Sequence, residues 1–278
     1  MIQAPIAHPT GSATALGMIA RLLEDRTGQQ IAASRAWRLE TTLKPLLRDH
    51  GMTTLDDLVS GLVTARDAKL SDQVVDALLN QESSFFRDAA VIDLAGDAAQ
   101  ALHAERQRRL RIWSAGCSNG QEPLSLAILC EERGLGEDSV EIVATDVSHG
   151  AIARAKTARF SQFEIQRGLS IRRMMTWFEG GGEDWTARRE LVRRIQFRQQ
   201  NLVTDPAPAG GFDMILCRNV LLYLSPELRA ATFENFAKAL RPGGVLVLGA
   251  SETVIGQTDR FAPSDRWRGL YTLAARRD

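Results

Sequence analysis

Apolar residues along this chain recur with two different periods, and the change of period divides it. From Leu16 to Leu79 the spacing is helical. Leu16, Ile19, Leu22 and Leu23 line one face of a first helix. Ile31 to His50 carries Trp37, Leu39, Leu43, Leu46 and Leu47 between Arg35, Arg38, Lys44 and Arg48. Pro45 predicts a kink or a helix end in that segment. Thr54 opens a third helix with Leu55, Leu58, Val59 and Leu62 inside, and Ser71 caps a fourth with Val74, Val75, Leu78 and Leu79 inside. The pattern predicts a small all-α domain over residues 15–80. Residues 1–14, small and polar with Pro5, Pro9 and Gly11, predict a flexible tail.

After a hinge at residues 81–90 the apolar runs become short and continuous, as they do in parallel strands buried on both faces. Ala89 to Arg109 reads as a helix whose basic end suits a helix C-terminus. Leu110 to Ala115 and Val140 to Ala144 read as strands around an apolar helix, and a further helix runs from about Ser148 to Ala158. Phe197 to Leu202, Phe212 to Cys217, Val245 to Ala250 and Trp267 to Thr272 add strands, with a helix from Ser225-Pro226 to Leu240 among them. Residues 91–278 therefore predict an α/β domain with a doubly wound, mostly parallel sheet. The arginine-rich stretch from Arg159 to Arg198 breaks the rhythm. Leu191, Val192, Ile195 and Phe197 look strand-like and Gly180 to Asp184 looks like a hairpin tip, so a small antiparallel β insertion is expected at about residues 165–195.

The chemistry concentrates between the first two strands. Gly116 and Gly120 follow the first strand and Asp146 closes the second. A dinucleotide site wants Gly-x-Gly-x-x-Gly to seat a pyrophosphate on a helix N-terminus. Here the spacing is Gly-x-x-x-Gly, with no Walker lysine. S-adenosylmethionine fits such a loop, having an adenosine, no phosphate and an amino-acid tail. Asp146 would accept from both ribose hydroxyls. Taken alone, Gly116 also reads as a turn glycine and Asp146 as a helix N-cap.

Composition narrows the classes. The 278 residues carry no net formal charge, which gives no bulk attraction to nucleic acid or membrane. Cys117, Cys130 and Cys217 are scattered, as are four histidines, so no metal site is expected. No apolar run reaches spanning length, and the N-terminus lacks the pattern of a signal peptide. A reducing cytoplasm is the natural setting.

Several stretches together resemble the CheR-type chemotaxis receptor methyltransferases. Ser114-Ala-Gly-Cys-Ser-Asn-Gly-Gln-Glu-Pro123 is similar to their glycine loop and Ala144-Thr-Asp146 to their ribose-binding strand end. Cys217-Arg-Asn-Val-Leu-Leu-Tyr223, Leu240-Arg-Pro-Gly-Gly244, Gly249-Ala-Ser-Glu252 and the Ser-Phe-Phe-Arg segment at Ser84 to Arg87 resemble further family motifs, in the family's order. The resemblance implies a Rossmann-like methyltransferase domain bearing a β insertion, after an N-terminal helical domain. It implies that S-adenosylmethionine is held by Gln81, Ser83, Arg87, Gly116, Gly120, Glu122, Asp146, Asn201, Leu202, Arg218 and Asn219. Arg87, Arg218 and Tyr223 would stand by the transferring methyl. Gln81 stands where the family usually has Asn, and Gln121 where an acid is common.

The implied reaction is methyl esterification of glutamates in the cytoplasmic helical region of chemoreceptors. A receptor tether peptide, where one is used, would bind the β insertion. Two other readings stay open: a methyltransferase for another protein or a small molecule, and a non-catalytic module that senses the cofactor. A nucleic-acid acceptor is disfavoured, because no Asp/Asn-Pro-Pro-aromatic motif occurs. Structural alternatives also stand. Arg87 and Arg218 could form a salt bridge tying hinge to sheet, Tyr223 could be a core aromatic, and Asn219 could cap a turn.

Overall fold

The computed structural model describes residues 12–31, 37–65 and 68–275. Contacts divide the chain into a unit ending at Asn80 and a unit of Gln81–Asp278.

In the first unit, α1 (Ala13–Thr27), α2 (Trp37–Asp49), α3 (Leu55–Ala65) and α4 (Ala68–Leu78) enclose Ile19, Leu43, Leu47, Leu55, Leu58 and Val74. The expected tail lies outside the described residues up to residue 11, and α1 begins before that tail was expected to end. Ser12 accounts for this: its side chain accepts from Ala15 N and is itself held by Asp56, as a good N-cap should be. Thr54 caps α3, exchanging bonds with Asp57.

Two expectations here are overturned. Ser71 is not a cap, because α4 already begins at Ala68 and buries Leu70. Of the kink or helix end expected at Pro45, the end does not occur, since α2 runs on to Asp49. The proline removes one donor, but Leu43 and Leu47 on either side are buried, and that packing outweighs the lost bond. Of the basic series on this helix, Lys44 and Arg48 are exposed, while Arg35 lies outside the described residues.

In the second unit, α5 (Ala89–Arg106) leads into β1 (Leu110–Ala115), α6 (Gln121–Glu132), β2 (Val140–Asp146) and α7 (His149–Thr157). The chain then makes β3 (Arg159–Ser161), α8 (Gln162–Gln166), α9 (Ile171–Trp177), β4 (Phe178–Gly181), β5 (Asp184–Ala187) and α10 (Arg189–Val192). It closes with β6 (Ile195–Gln199), β7 (Phe212–Cys217), α11 (Pro226–Ala239), β8 (Leu240–Leu248), β9 (Phe261–Pro263) and β10 (Tyr271–Leu273).

One seven-stranded sheet has the order β6-β2-β1-β7-β8-β10-β9. The first five strands are mutually parallel, and β10 runs antiparallel to both its neighbours. Strand period explains the core. Ile112, Ile142, Met214 and Val247 face α5 and α6, while Trp113, Val143, Ile215 and Leu246 face α11 and its Phe233 and Phe236.

The small sheet, β3-β5-β4, is antiparallel and takes its first strand from Arg159. Phe160 and Phe178 from it hold Phe85 in edge-to-face contacts at 4.9 and 5.4 Å. Leu191 and Val192, which look strand-like in sequence, lie instead in α10, a single turn too short for any period to show. Among the described residues no helix is long and apolar enough to cross a membrane.

Candidate active site

The chain leaves β1 toward β2 on one side and later lays β7 on the other. Loops part at such a reversal, and α/β sheets hold ligands in the crevice beyond the carboxyl ends there.

The loop after β1 is shaped by its backbone. Gly116 and Cys117 both donate to Thr145 O, at 2.8 and 2.9 Å, which ties the loop to β2. Gly116 and Gly120 have φ of +83° and +93°, a region open mainly to glycine. Space demands glycine at Gly116 as well, since an added Cβ would lie 2.4 Å from Val220 Cγ2. Ser118 is left-handed without being glycine, and its N–H donates to Asp146 Oδ2 at 2.8 Å. Asp146 Oδ1 accepts from Ser148 N at 2.9 Å. The helix N-cap reading of Asp146 is corrected: Ser148 caps α7, its hydroxyl accepting from Ala151 N. These two bonds fix the orientation of the Asp146 carboxylate against the loop.

The segment from Gln81 to Asp88 closes over this loop. Gln81 Nε2 donates to Ser148 Oγ at 3.0 Å, and its carbonyl accepts from Ser118 Oγ at 3.0 Å. Ser83 is half-buried on the same segment. Phe86 and Asp88 both take left-handed backbone, which aspartate tolerates but which costs a bulky phenylalanine about 1–2 kcal/mol and persists there only where surroundings impose it. Phe86 is held by its N–H to Ser125 Oγ at 3.0 Å. Asp88 precedes α5, yet its side chain makes no capping bond. It accepts instead from Arg218 Nη2 at 2.9 Å.

Arg218 is the knot of the site. Its side chain is 2% exposed, Nη1 donates to Glu122 Oε2 at 3.1 Å, and Nη2 also reaches the Arg87 carbonyl. Glu122 Oε1 accepts from Ser114 Oγ at 2.7 Å. One guanidinium thus joins β7, α6 and the segment before α5, which is the structural salt bridge between hinge and sheet. Arg87 is half-buried and its Nη1 donates to the Glu82 carbonyl at 3.1 Å. Asn219, left-handed, leads into the 3-10 turn Leu221–Tyr223, where Tyr223 is half-buried.

Beyond β6, Asn201 Oδ1 accepts from Val203 N at 2.9 Å, and Leu202 packs on the core. They follow Gln200, whose N–H donates to the Asp146 carbonyl at 2.9 Å and ties this strand end to β2.

The fold therefore gathers Gln81, Gly116, Gly120, Glu122, Asp146, Arg218 and Asn219 at one strand-end crevice, with Asn201 and Leu202 on its flank. Sequence reasoning missed the partners that hold them: Ser114, Ser118, Ser125, Ser148, Asp88 and Glu252. Their roles carry no local sequence signal, although Ser114, Ser118 and Glu252 lie within stretches already singled out and Asp88 directly follows one.

Burial pushes the Cys117 thiol well above its usual range, aided by the charges of Asp146 and Glu122. Cys217 is raised likewise by burial, then by Glu252 and Glu122. Both remain protonated packing residues. Three buried acceptors here lack a partner, Gln121 Oε1, Asn219 Oδ1 and Glu252 Oε1. Gln121 Oε1 and Asn219 Oδ1, left open, suit a ligand rich in N–H and O–H donors, and S-adenosylmethionine, with its ammonium, hydroxyls and adenine amine, is one. Among the described residues no cluster could hold a metal ion.

A glycine loop at the switch point, unsuited to a diphosphate, with an acid closing the next strand, defines an α/β domain for a nucleoside-type cofactor. The family model "CheR methyltransferase, SAM binding domain" matches residues 81–268. The chain is 37% identical over 246 residues to the chemotaxis protein methyltransferase of Vibrio anguillarum, covering 87% of this chain and 90% of that one. It is 34% identical over 247 residues to chemotaxis protein methyltransferase 1 of Pseudomonas aeruginosa, covering 86% and 90%. The chain belongs to the CheR family of S-adenosylmethionine-dependent methyltransferases.

Proposed function

We propose that the protein esterifies glutamate side chains in the cytoplasmic helical region of chemoreceptors, using S-adenosylmethionine. The observation that carries this reading is the frame of Glu122, Arg218 and Asp88, which joins the cofactor loop to the segment bearing Arg87. The bound cofactor supplies a methyl group activated by its sulfonium. Asp146 accepts from the ribose hydroxyls, the Gly116–Gly120 loop allows close backbone approach, and Glu122 receives the ammonium. Gln81 and Ser83 border the cofactor from the hinge, while Asn201 and Leu202 border the adenine.

A glutamate of pKa about 4.3 is already ionised at pH 7, so no general base is needed. The remaining task is to strip water from the carboxylate and align it in line with the methyl. Arg87 and Tyr223, at the rim, do the aligning. Arg218, enclosed, holds the frame rather than the acceptor. A receptor tether peptide, where present, binds the small sheet. The reaction takes place in the cytoplasm.

The test is transfer from methyl-labelled cofactor to a chemoreceptor cytoplasmic fragment, followed by mild alkali. Label released as volatile methanol identifies a carboxyl methyl ester. Label that survives alkali defeats the glutamate reading. Tight cofactor binding without transfer favours another acceptor or a sensing module.

A further inference from the structure

Glu252 belongs to a stretch with no role in the reaction derived so far, yet it stitches together the two strand ends nearest the transfer point. Leu248, the last residue of β8, pairs with Cys217, the last of β7. A tight turn follows, with Glu252 N donating to Gly249 O at 2.9 Å. That turn swings the carboxylate back across both strand ends. Its Oε2 accepts from Asn219 N at 2.7 Å and from Gly249 N at 2.9 Å. Its Oε1 is buried without a partner, as is Asn219 Oδ1. The fit is close: a Cβ on Gly249 would lie 2.8 Å from Glu252 Oε2 and 3.0 Å from Asn219 Nδ2.

The consequence runs through Asn219, whose φ is +59°. Asparagine enters this region more readily than other side chains, and the bond from its N–H to Glu252 holds it there. The next residue, Val220, is the one that fills the space over Gly116, and its carbonyl accepts from Tyr223 N at 3.1 Å. Glu252 therefore controls, through one backbone amide, both the contact with the cofactor loop and the placement of Tyr223. We propose that Glu252 is a positioning residue for methyl transfer, clamping the Asn219–Tyr223 turn in its transfer-competent shape. The inference rests on the methyl-transfer reading above.

The test uses two conservative variants of the full chain. Glu252→Asp keeps the charge but is one methylene shorter and cannot reach both amides. Glu252→Gln loses the charge, but its amide oxygen can still accept from both. Positioning predicts that Glu252→Asp lowers kcat about tenfold or more, since small misplacements near reacting atoms are heavily penalised. Cofactor Kd by calorimetry should stay within about threefold, and hydrogen exchange at the Asn219 and Gly249 amides should accelerate. Glu252→Gln should retain kcat within about threefold of wild type. Wild-type kcat and unchanged exchange in Glu252→Asp would overturn the proposal. So would a loss in Glu252→Gln equal to that in Glu252→Asp, which would assign the effect to charge. If the wild-type chain transferred no methyl to any acceptor, the reaction reading would fall instead, and amide exchange would still report whether Glu252 holds the turn.

Discussion

At the amino end of the sheet, Asp213 is buried among Arg106, Arg108 and Arg241; at the carboxyl end, Arg218 is buried between Asp88 and Glu122. The clusters sit at opposite ends of β7 and both pair guanidinium with carboxylate, but they are finished differently. Asp213 accepts from Arg108 through both oxygens, at 2.6 and 2.9 Å, from Arg111 N at 2.9 Å and from Arg241 at 3.1 Å, with Arg106 also bound. Left-handed backbone occurs at both ends, at Gln107 between Arg106 and Arg108 and at Phe86, Asp88, Ser118 and Asn219 near Arg218, but it is near Arg218 that buried acceptors have no partner. Saturated polar clusters hold a fold together. Incomplete ones mark where a ligand can complete them.

The contrast is broken most severely at Asp213. Asp213→Ala leaves three guanidiniums facing one another and should cost about 3 kcal/mol of stability in urea denaturation, with cofactor affinity unchanged. A loss of affinity matching the loss of stability would mean that the two ends are not independent. The pH dependence sharpens the point. Burial by itself raises the Asp213 carboxyl, but the Arg108 hydrogen bond, the Arg111 N–H and the charges of Arg108 and Arg106 outweigh it and hold it below the usual range. A lowered native pKa gives stability that is complete above the unfolded value of about 4 and is lost as pH falls through the native value. The gap between wild type and Asp213→Ala should therefore narrow on acidification.

At the other end the order of effects reverses. Asp146→Ala should weaken cofactor binding about a hundredfold by calorimetry, with a smaller effect on stability than Asp213→Ala. Normal binding by that variant would displace the cofactor assignment. Tyr223→Phe should lower kcat about tenfold and leave cofactor Kd alone; a change confined to Kd would return Tyr223 to a packing role.

How much of this is readable in advance follows from range. β1, β2, β7 and β8 show as apolar runs, and the Gly116 loop with Asp146 shows as a short motif, because each is local. The pairing of Arg218 with Asp88 spans 130 residues and that of Arg108 with Asp213 spans 105. Nothing in a single sequence joins such partners, so the basic end of α5 reads as a helix terminus when its charge is in fact met by a buried acid. Ile171–Trp177 and Arg189–Val192 form helices too short for a period to register. Pro45 misleads for the opposite reason, since its local preference yields to the burial of Leu43 and Leu47.

The finest test compares two glycines with the same backbone conformation on either side of α6. Gly116 and Gly134 have φ of +83° and +75°, so alanine at either position pays the same left-handed strain of about 1 kcal/mol. Around Gly134 an added Cβ meets nothing within 4 Å, whereas at Gly116 it meets Val220 at 2.4 Å. Gly116→Ala must therefore push Val220, and with it Asn219, away from the loop, and kcat and cofactor affinity should each fall about tenfold. Gly134→Ala should lose only its strain in thermal denaturation and keep wild-type transfer. If Gly134→Ala slowed transfer as much as Gly116→Ala, strain alone would disturb the site wherever it occurred, and the separation between finished and unfinished regions of the domain would collapse.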